Sequence, residues 1–417
     1  MNFKNFITAL LLCFFISNSF AQPLISKQNS LNWNLSIMNK NNLYWFSSKK
    51  TIKRANEWLT EIEKTQKIGV VSSKTELDEI RDALLLNKKV DSINKQKIDN
   101  QITKLILSFL KNYQEGNIKF EYDEISVLRD SVYVTQFLNS ISKEPISKIL
   151  ARLECRDANY LILKKYLIDS ILEEKSYAQK SIFLAMNYRR FFNVYCNSEY
   201  ILVNIPTTQA EYFNNDTVVL KMRTVVGTKT NKTPTIASYI TSVITFPYWN
   251  VPRTIAEKEM IPKLKENEEY LTDNNFEIVD SSGNIVDTVL VWKDYETTYF
   301  PFHFRQSTGA ENAMGVLKFN LQNPFSIYLH STNSQSAFDR KNRFLSHGCI
   351  RLEKPFDLAD ALLRGNIDIK KLKNGKSNSE TNSIKLPQKI QTFIIYSPTF
   401  VENNKVVFLK DVYGLVK

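Results

Sequence analysis

His347, Gly348 and Cys349 stand side by side in the stretch FLSHGCIRLEKP (residues 344–355), with Arg351 close behind, in a chain that holds three histidines and four cysteines. A second histidine, His330, ends the stretch IYLH, with fifteen residues between it and Ser346. A cysteine nucleophile needs a base to take its proton, donors for the oxyanion that forms on attack, and a group that fixes the base. His330 and His347 are both candidate bases for Cys349. Gly348 lets the backbone come close to a substrate, and the amides around Gly348 and Cys349 are candidate oxyanion donors. Two other readings stand beside this one. The segment could be a tight turn that merely contains a thiol, or a zinc site drawing on His330, His347, Cys349 and His303, ligand types zinc accepts although the familiar paired spacings are missing.

The elements that must position these residues are strands. IYLH belongs to a β-rich run, SIYLHS (326–331), and the fifteen residues after His330 are long enough to carry the chain to a neighbouring strand that would set Cys349 beside it. Further strand signals are YILVNIP (200–206), TVVLKMRTVVG (217–227), ASYITSVITF (237–246), MGVLKFNL (314–321), TFIIYSP (392–398) and NKVVFLKDVYG (404–414), all rich in β-branched residues. Pro355 opens a helix carrying Leu358, Ala361 and Leu362.

The first half of the chain reads differently. Gly69 and Gly116 are its only glycines before residue 200, and eight more follow. Ile102, Leu105, Ile106, Phe109, Leu110 and Tyr113 fall on one face at helical spacing. Similar stripes recur near 133–150, 158–173 and 177–192, with weaker ones at 53–64 and 75–87. The expected fold class is therefore α+β and multidomain: a helical region over 22–195, then a mainly β domain over 196–373. A polar loop at 374–387 and C-terminal strands over 388–417, packing on one or other region, complete the division.

Residues 1–21 have the form of a secretory signal: Lys4, an apolar run from Phe6 to Ile16, and small residues at Ser19 and Ala21 before the expected cut. The run is shorter than the roughly 20 residues a spanning helix needs, and Leu12 before Cys13 is too large for a lipid-modified cysteine. The mature chain would keep Cys155, Cys196 and Cys349, an odd number in an oxidising compartment. Whether the first two pair is open. With 55 Lys plus Arg against 43 Asp plus Glu the chain is basic, yet it has no basic run interleaved with aromatics of the kind that binds nucleic acid. An anionic wall polymer is the better match.

His330, fifteen residues, then Ser346-His347-Gly348-Cys349-Ile350-Arg351 resembles the signature of the L,D-transpeptidases, the YkuD-domain enzymes of bacterial cell walls. YILVNIP, MRTVVGTKTNKTP, FPYWNVPRTIAEKEMIPKL, NAMGVLKFNLQNPFSIYLHST and SHGCIRLEKPFDLADALL follow the order of the long, scaffold-bearing YcbB-type branch, over about residues 98–417. The resemblance implies Cys349 as nucleophile, His330 as base and the Ser331 carbonyl as orienter of the imidazole. It places His347, Gly348 and Ser346 at the oxyanion or pocket wall, and Tyr328, Trp249, Asn250 and Arg351 along the substrate cleft. A movable cap would span about 253–305. No metal or organic cofactor is implied. The implied partners are peptidoglycan stem peptides as donor and acceptor, in the periplasm and against the wall, with covalent inhibition by carbapenems. A hydrolytic L,D-carboxypeptidase and an inert wall-binding relative are the rival readings. Unlike many long members, this chain has no room for a small peptidoglycan-binding domain between its two regions.

Overall fold

The computed structural model describes residues 43–70, 73–86, 91–126, 140–286, 291–295, 300–374 and 379–416. The signal segment 1–21 and its cut lie outside them, as do 22–42 of the helical region, most of the first half of the 133–150 stripe, and 375–378 of the polar loop. Among the described residues no helix is long and apolar enough to cross a membrane.

Helices come first, and short polar residues start them. Ser48 and Thr51 cap each other at α1 (Lys49–Thr65), and Ser73 and Asp91 accept the first free amides of α2 (Lys74–Leu85) and α3 (Ser92–Glu115). Their apolar stripes, with α4 (Ile146–Leu153), bury Trp58, Leu59, Ile62, Leu77, Ile106 and Phe109 in one core. The buried Asp99 carboxylate of α3 accepts the backbone amides of Tyr44, Trp45 and Phe46, pinning the segment before α1. α5 (Ala158–Asp169) and α6 (Tyr177–Tyr195) follow. α6 bridges the two regions. Phe191 and Phe192 press on Tyr200 and Phe393 of the sheet, while Ile182, Ala185 and Met186 share a core with α5.

Ten strands then form one sheet. They are β1 (Tyr122–Asp123), β2 (Glu199–Asn204), β3 (Gln209–Asn214), β4 (Thr217–Gly227), β5 (Ile236–Thr245), β9 (Leu317–Leu321), β10 (Leu329–His330), β11 (Phe344–Ser346), β12 (Ile350–Leu352) and β13 (Asn382–Ile395). The order β5-β13-β2-β3-β4-β12-β10-β9 closes into a barrel because β9 also pairs with β5, with the short β1 and β11 added alongside β5 and β4. Inside lie Ile201, Val203, Ile240, Val243, Phe319, Leu329, Ile350 and Ile394, plugged at one end by Leu358 and Leu362 of α7 (Pro355–Leu363). β2 and residues 390–395 of β13 are buried on both faces, which is why they show no apolar–polar alternation.

Two expected boundaries move. Residues 382–387, expected in the polar loop, are the first half of β13, with 382–385 paired to 245–242 of β5. Backbone pairing alone makes this stretch a strand, since most of its side chains face solvent and leave no apolar period. Residues 388–395 are a central strand of the barrel and not an appendage to it. Beyond them the hairpin β14 (Thr399–Glu402) and β15 (Lys405–Phe408) does pack on helices, through Val401, Val406 and Phe408.

The cap is a small unit with its own core. β6 (Trp249–Asn250), β8 (His303–Gln306) and β7 (Phe276–Val279) form a three-stranded sheet around Ile255, Met260, Ile261, Leu264, Trp292, Phe300 and Phe304. Its helical stretch, residues 253–266, contains a π turn at Ala256–Met260 where the Ile261 amide donates to the Ala256 carbonyl. Pro262 explains it: with no N–H of its own it cannot continue the ordinary ladder, and one extra residue is taken up just before it.

Candidate active site

β10 lies between β9 and β12, antiparallel to the first and parallel to the second. Register sets Lys318, His330 and Arg351 side by side across the three strands, while Leu317, Phe319, Leu329, Ile350 and Leu352 take the core side. Cys349 immediately precedes β12. Its thiol is 3.7 Å from the Ser326 carbonyl and within hydrogen-bonding reach of Tyr328. Tyr328 also meets the His330 ring edge-on, at 5.7 Å between centroids. So the parallel β10–β12 pair does bring His330 and the HGC segment to one place, with Tyr328 touching both histidine and thiol.

Each wall of this place has a local cause. Asn323 ties the turn before β10, donating to the Leu321 and Ile327 carbonyls and accepting from the amides of Phe325 and Ile327. That turn holds Ser326 at φ +56° and aims its carbonyl at the thiol. Ser346 is buried. Its hydroxyl donates to the Cys349 carbonyl at 2.6 Å and accepts the Gly348 amide at 3.2 Å. This places Ser346 inside the turn as its clasp and engages the Gly348 N–H, so neither is free to meet an oxyanion. Among the described hydrogen bonds none occupies the amides of His347 or Cys349.

Gly348 has φ +121°, and a Cβ there would lie 3.2 Å from Ile327 Cδ1 and 3.5 Å from the Lys232 carbonyl. Gly348→Ala is expected to destabilise the fold by about 1–3 kcal/mol, the usual cost of a side chain in such a conformation. It should also slow alkylation of Cys349 by iodoacetamide. A melting curve and a thiol-labelling rate check both.

The turn is braced from behind by the C-terminal segment. Thr233 donates to the Gly348 carbonyl at 2.7 Å and accepts the Gly227 amide. The Tyr413 hydroxyl donates to the Gly227 carbonyl at 2.6 Å and accepts the Thr233 amide, and Lys232 reaches the Tyr413 carbonyl. Tyr413 stacks on Tyr396, whose hydroxyl donates to Asp411. Nothing in the motif points to Tyr413 or Thr233, which lie 65 and 115 residues away in sequence from Gly348.

The expected roles sort unevenly. The Ser331 and Met314 carbonyls lie beside the His330 ring and favour its protonated form, although the buried Nδ1 closes no hydrogen bond of good geometry with either. The Ser331 hydroxyl meanwhile donates to Met314 O and accepts the Leu317 amide, which locks the backbone under the histidine. His347 is exposed and turns away from the thiol: its Nε2 is 2.6 Å from Glu259 Oε1 of the cap's π turn. Trp249 packs on Phe276 inside the cap, at 6.0 Å between centroids, and Asn250 is exposed on the same short strand. The cleft positions expected for these two are therefore cap positions, because β6 is the first strand of the cap's own sheet. His303 is exposed on β8, also in the cap. Cys155 and Cys196 are both free thiols, in separate apolar clusters.

Burial governs the charges. It pushes the imidazole of His330 down to about 3, helped by the positive charges of Arg351 and Lys318. Burial also raises the Cys349 thiol, against the opposing pull of Tyr328, Lys318 and Arg351. Desolvation thus outweighs the donors and cations around the thiol. At neutral pH the pair rests as thiol and neutral imidazole.

A model of the L,D-transpeptidase catalytic domain matches residues 198–370, and a model of the Scaffold domain matches residues 38–167. A Haemophilus influenzae protein named "Putative L,D-transpeptidase" is 34% identical over 244 residues, which is 58% of this chain and 49% of that one. The chain thus spans about half the length of the curated relative it matches.

Proposed function

Because this chain carries an L,D-transpeptidase catalytic domain behind a Scaffold domain, we propose that it is an exported peptidoglycan L,D-transpeptidase acting in the periplasm, with Cys349 as nucleophile and His330 as base. The observation that carries this reading is the register of β10 and β12, which sets a neutral imidazole one strand from a cysteine held in a glycine turn.

In the proposed reaction His330 takes the thiol proton as sulfur attacks the carbonyl of the third residue of a tetrapeptide stem. An S–C bond forms, and the negative charge on oxygen is met by the backbone amides of His347 and Cys349. The C–N bond to the terminal D-alanine then breaks, its nitrogen takes the proton from the imidazolium, and a thioester remains. The amine of a second stem attacks this thioester, gives a proton back through His330 and releases the thiol, leaving a 3→3 cross-link. A base that is neutral at working pH suits both halves, since it must accept a proton and return it. A closed cap would keep water from the thioester and so favour transfer over hydrolysis. The His347–Glu259 contact is where cap and catalytic turn meet. The same reading makes carbapenems acylating inhibitors of Cys349.

The test is incubation of the wild-type protein with a purified disaccharide-tetrapeptide, reading protein mass and muropeptides from one tube. A thioester adduct with dimers lighter than two monomers by one D-alanine is the expected result. Tripeptide without dimer would make the protein an L,D-carboxypeptidase. No adduct and no product from folded, reduced protein would leave a wall-binding relative.

A further inference from the structure

Two cations share the reactive face, and one of them, Lys318, has no place in the reaction described so far. Lys318 is the second residue of β9, between the buried Leu317 and Phe319 and opposite His330. Its chain leans along the face so that Nζ lies over the Tyr328 ring, 4.1 Å from the centroid. Arg351 stands opposite His330 on the other side. Both are half-buried. Among the described residues neither has a carboxylate partner, and the one negative charge either would feel is that of the Cys349 sulfur.

Two half-buried cations without an anion are costly to keep. They are also within reach of the same nucleophile, which is where a substrate's charge would arrive. In a four-residue stem the free carboxylate sits only three bonds beyond the carbonyl that is attacked. The carboxylate at the far end of the third residue's side chain lies several carbons further off.

We propose that Lys318 and Arg351 together form a receptor for the free C-terminal carboxylate of the donor stem, so that the site recognises a four-residue stem by its terminal charge. A five-residue stem would present an uncharged amide at that point and leave both cations unpaired. The inference rests on the reading of Cys349 as the residue acylated by a stem peptide, but the receptor itself can be tested without it.

Iodoacetate and iodoacetamide differ by a carboxylate against an amide and alkylate the same thiol. The ratio of their rates at Cys349, divided by the ratio for glutathione, reports whether a carboxylate is drawn to the sulfur. In the wild type this normalised ratio is expected at about tenfold or more, the worth of a hydrogen bond to a charged group. Lys318→Met, which keeps an alkyl chain over Tyr328, should return it towards one: losing the charge slows both reagents through the thiol, but iodoacetate must fall about tenfold further than iodoacetamide. Lys318→Arg should restore it. A second arm compares acylation by stems ending in a carboxylate and in a carboxamide, where Lys318→Met should slow the first further than the second. A wild-type ratio of one, or a Lys318→Met variant that slows both reagents equally, overturns the receptor. Equal acylation of wild type by both stems overturns it too and leaves the transpeptidase reading standing. A high ratio with no acylation by either stem has the opposite meaning: the receptor stands and the transpeptidase reading falls.

Discussion

Cys349→Ala is expected to abolish the covalent adduct and every product derived from it, a fall of at least about 10⁴-fold in turnover. The alanine variant should melt close to the wild type, because the Cys349 thiol contributes only weak contacts, to the Ser326 carbonyl at 3.7 Å and to Tyr328. Cys155→Ala and Cys196→Ala are the informative controls. Cys155 is 1% exposed in the core between α5 and α6, with its thiol pushed up to about 11 by burial. Cys196 packs with the aromatic residues between α6 and the sheet, and burial raises its thiol further still. Neither offers a thiolate to a substrate. Intact mass after incubation with the disaccharide-tetrapeptide should therefore show the adduct in both control variants. An adduct that persists in Cys349→Ala would remove this residue from the chemistry altogether.

His330→Gln is expected to lower acylation by about 10²–10⁴-fold, the usual contribution of a positioned general base. Its pH behaviour separates two kinds of cysteine enzyme. A preformed thiolate–imidazolium pair would keep alkylating iodoacetamide well into the acid range. Here the thiol is raised and the imidazole is lowered to about 3, so alkylation should climb with pH through and beyond the ordinary thiol range without an acid shoulder. Stability carries the same signature. The unfolded histidine binds a proton below about 6.5, and the folded one refuses it until about 3. The wild type should thus lose stability as pH falls through that interval, and His330→Gln should lose less. An acid shoulder in alkylation, or identical acid-side melting of the two proteins, would count against a neutral resting pair.

How far the sequence could be read depends on what each element faces. β2 and the second half of β13 were legible because burial on both sides favours apolar and β-branched residues, and α3 because its stripe covers one side. The HGC segment stood out by its own residues, since a turn that needs Gly348 and a strand that ends in His330 are both local features, while the roles expected of them came from the resemblance. Residues 382–387 were not, because a strand exposed on its side chains has no pattern to show. The resemblance implied cleft positions for Trp249 and Asn250, and only the pairing with β8 shows that they stand on the first strand of the cap. His347 stands beside Cys349 in sequence and still points the other way, at Glu259, because the positive φ of Gly348 turns the chain between them. Lys318 was invisible for the opposite reason: a lone lysine in a strand normally marks the solvent side, and only the closed barrel shows which face it occupies.

The brace behind Gly348 sets an order of events in the life of the chain. Thr233, Tyr396 and Tyr413 meet around one turn, and β13 fills the gap between β2 and β5. Until residues 382–413 have been made and threaded into place, the barrel is open along one seam and the nucleophile has no fixed backing. A nascent chain would carry Cys349 on an unbraced turn. Under the proposed function, the site would become competent only once this last stretch docks.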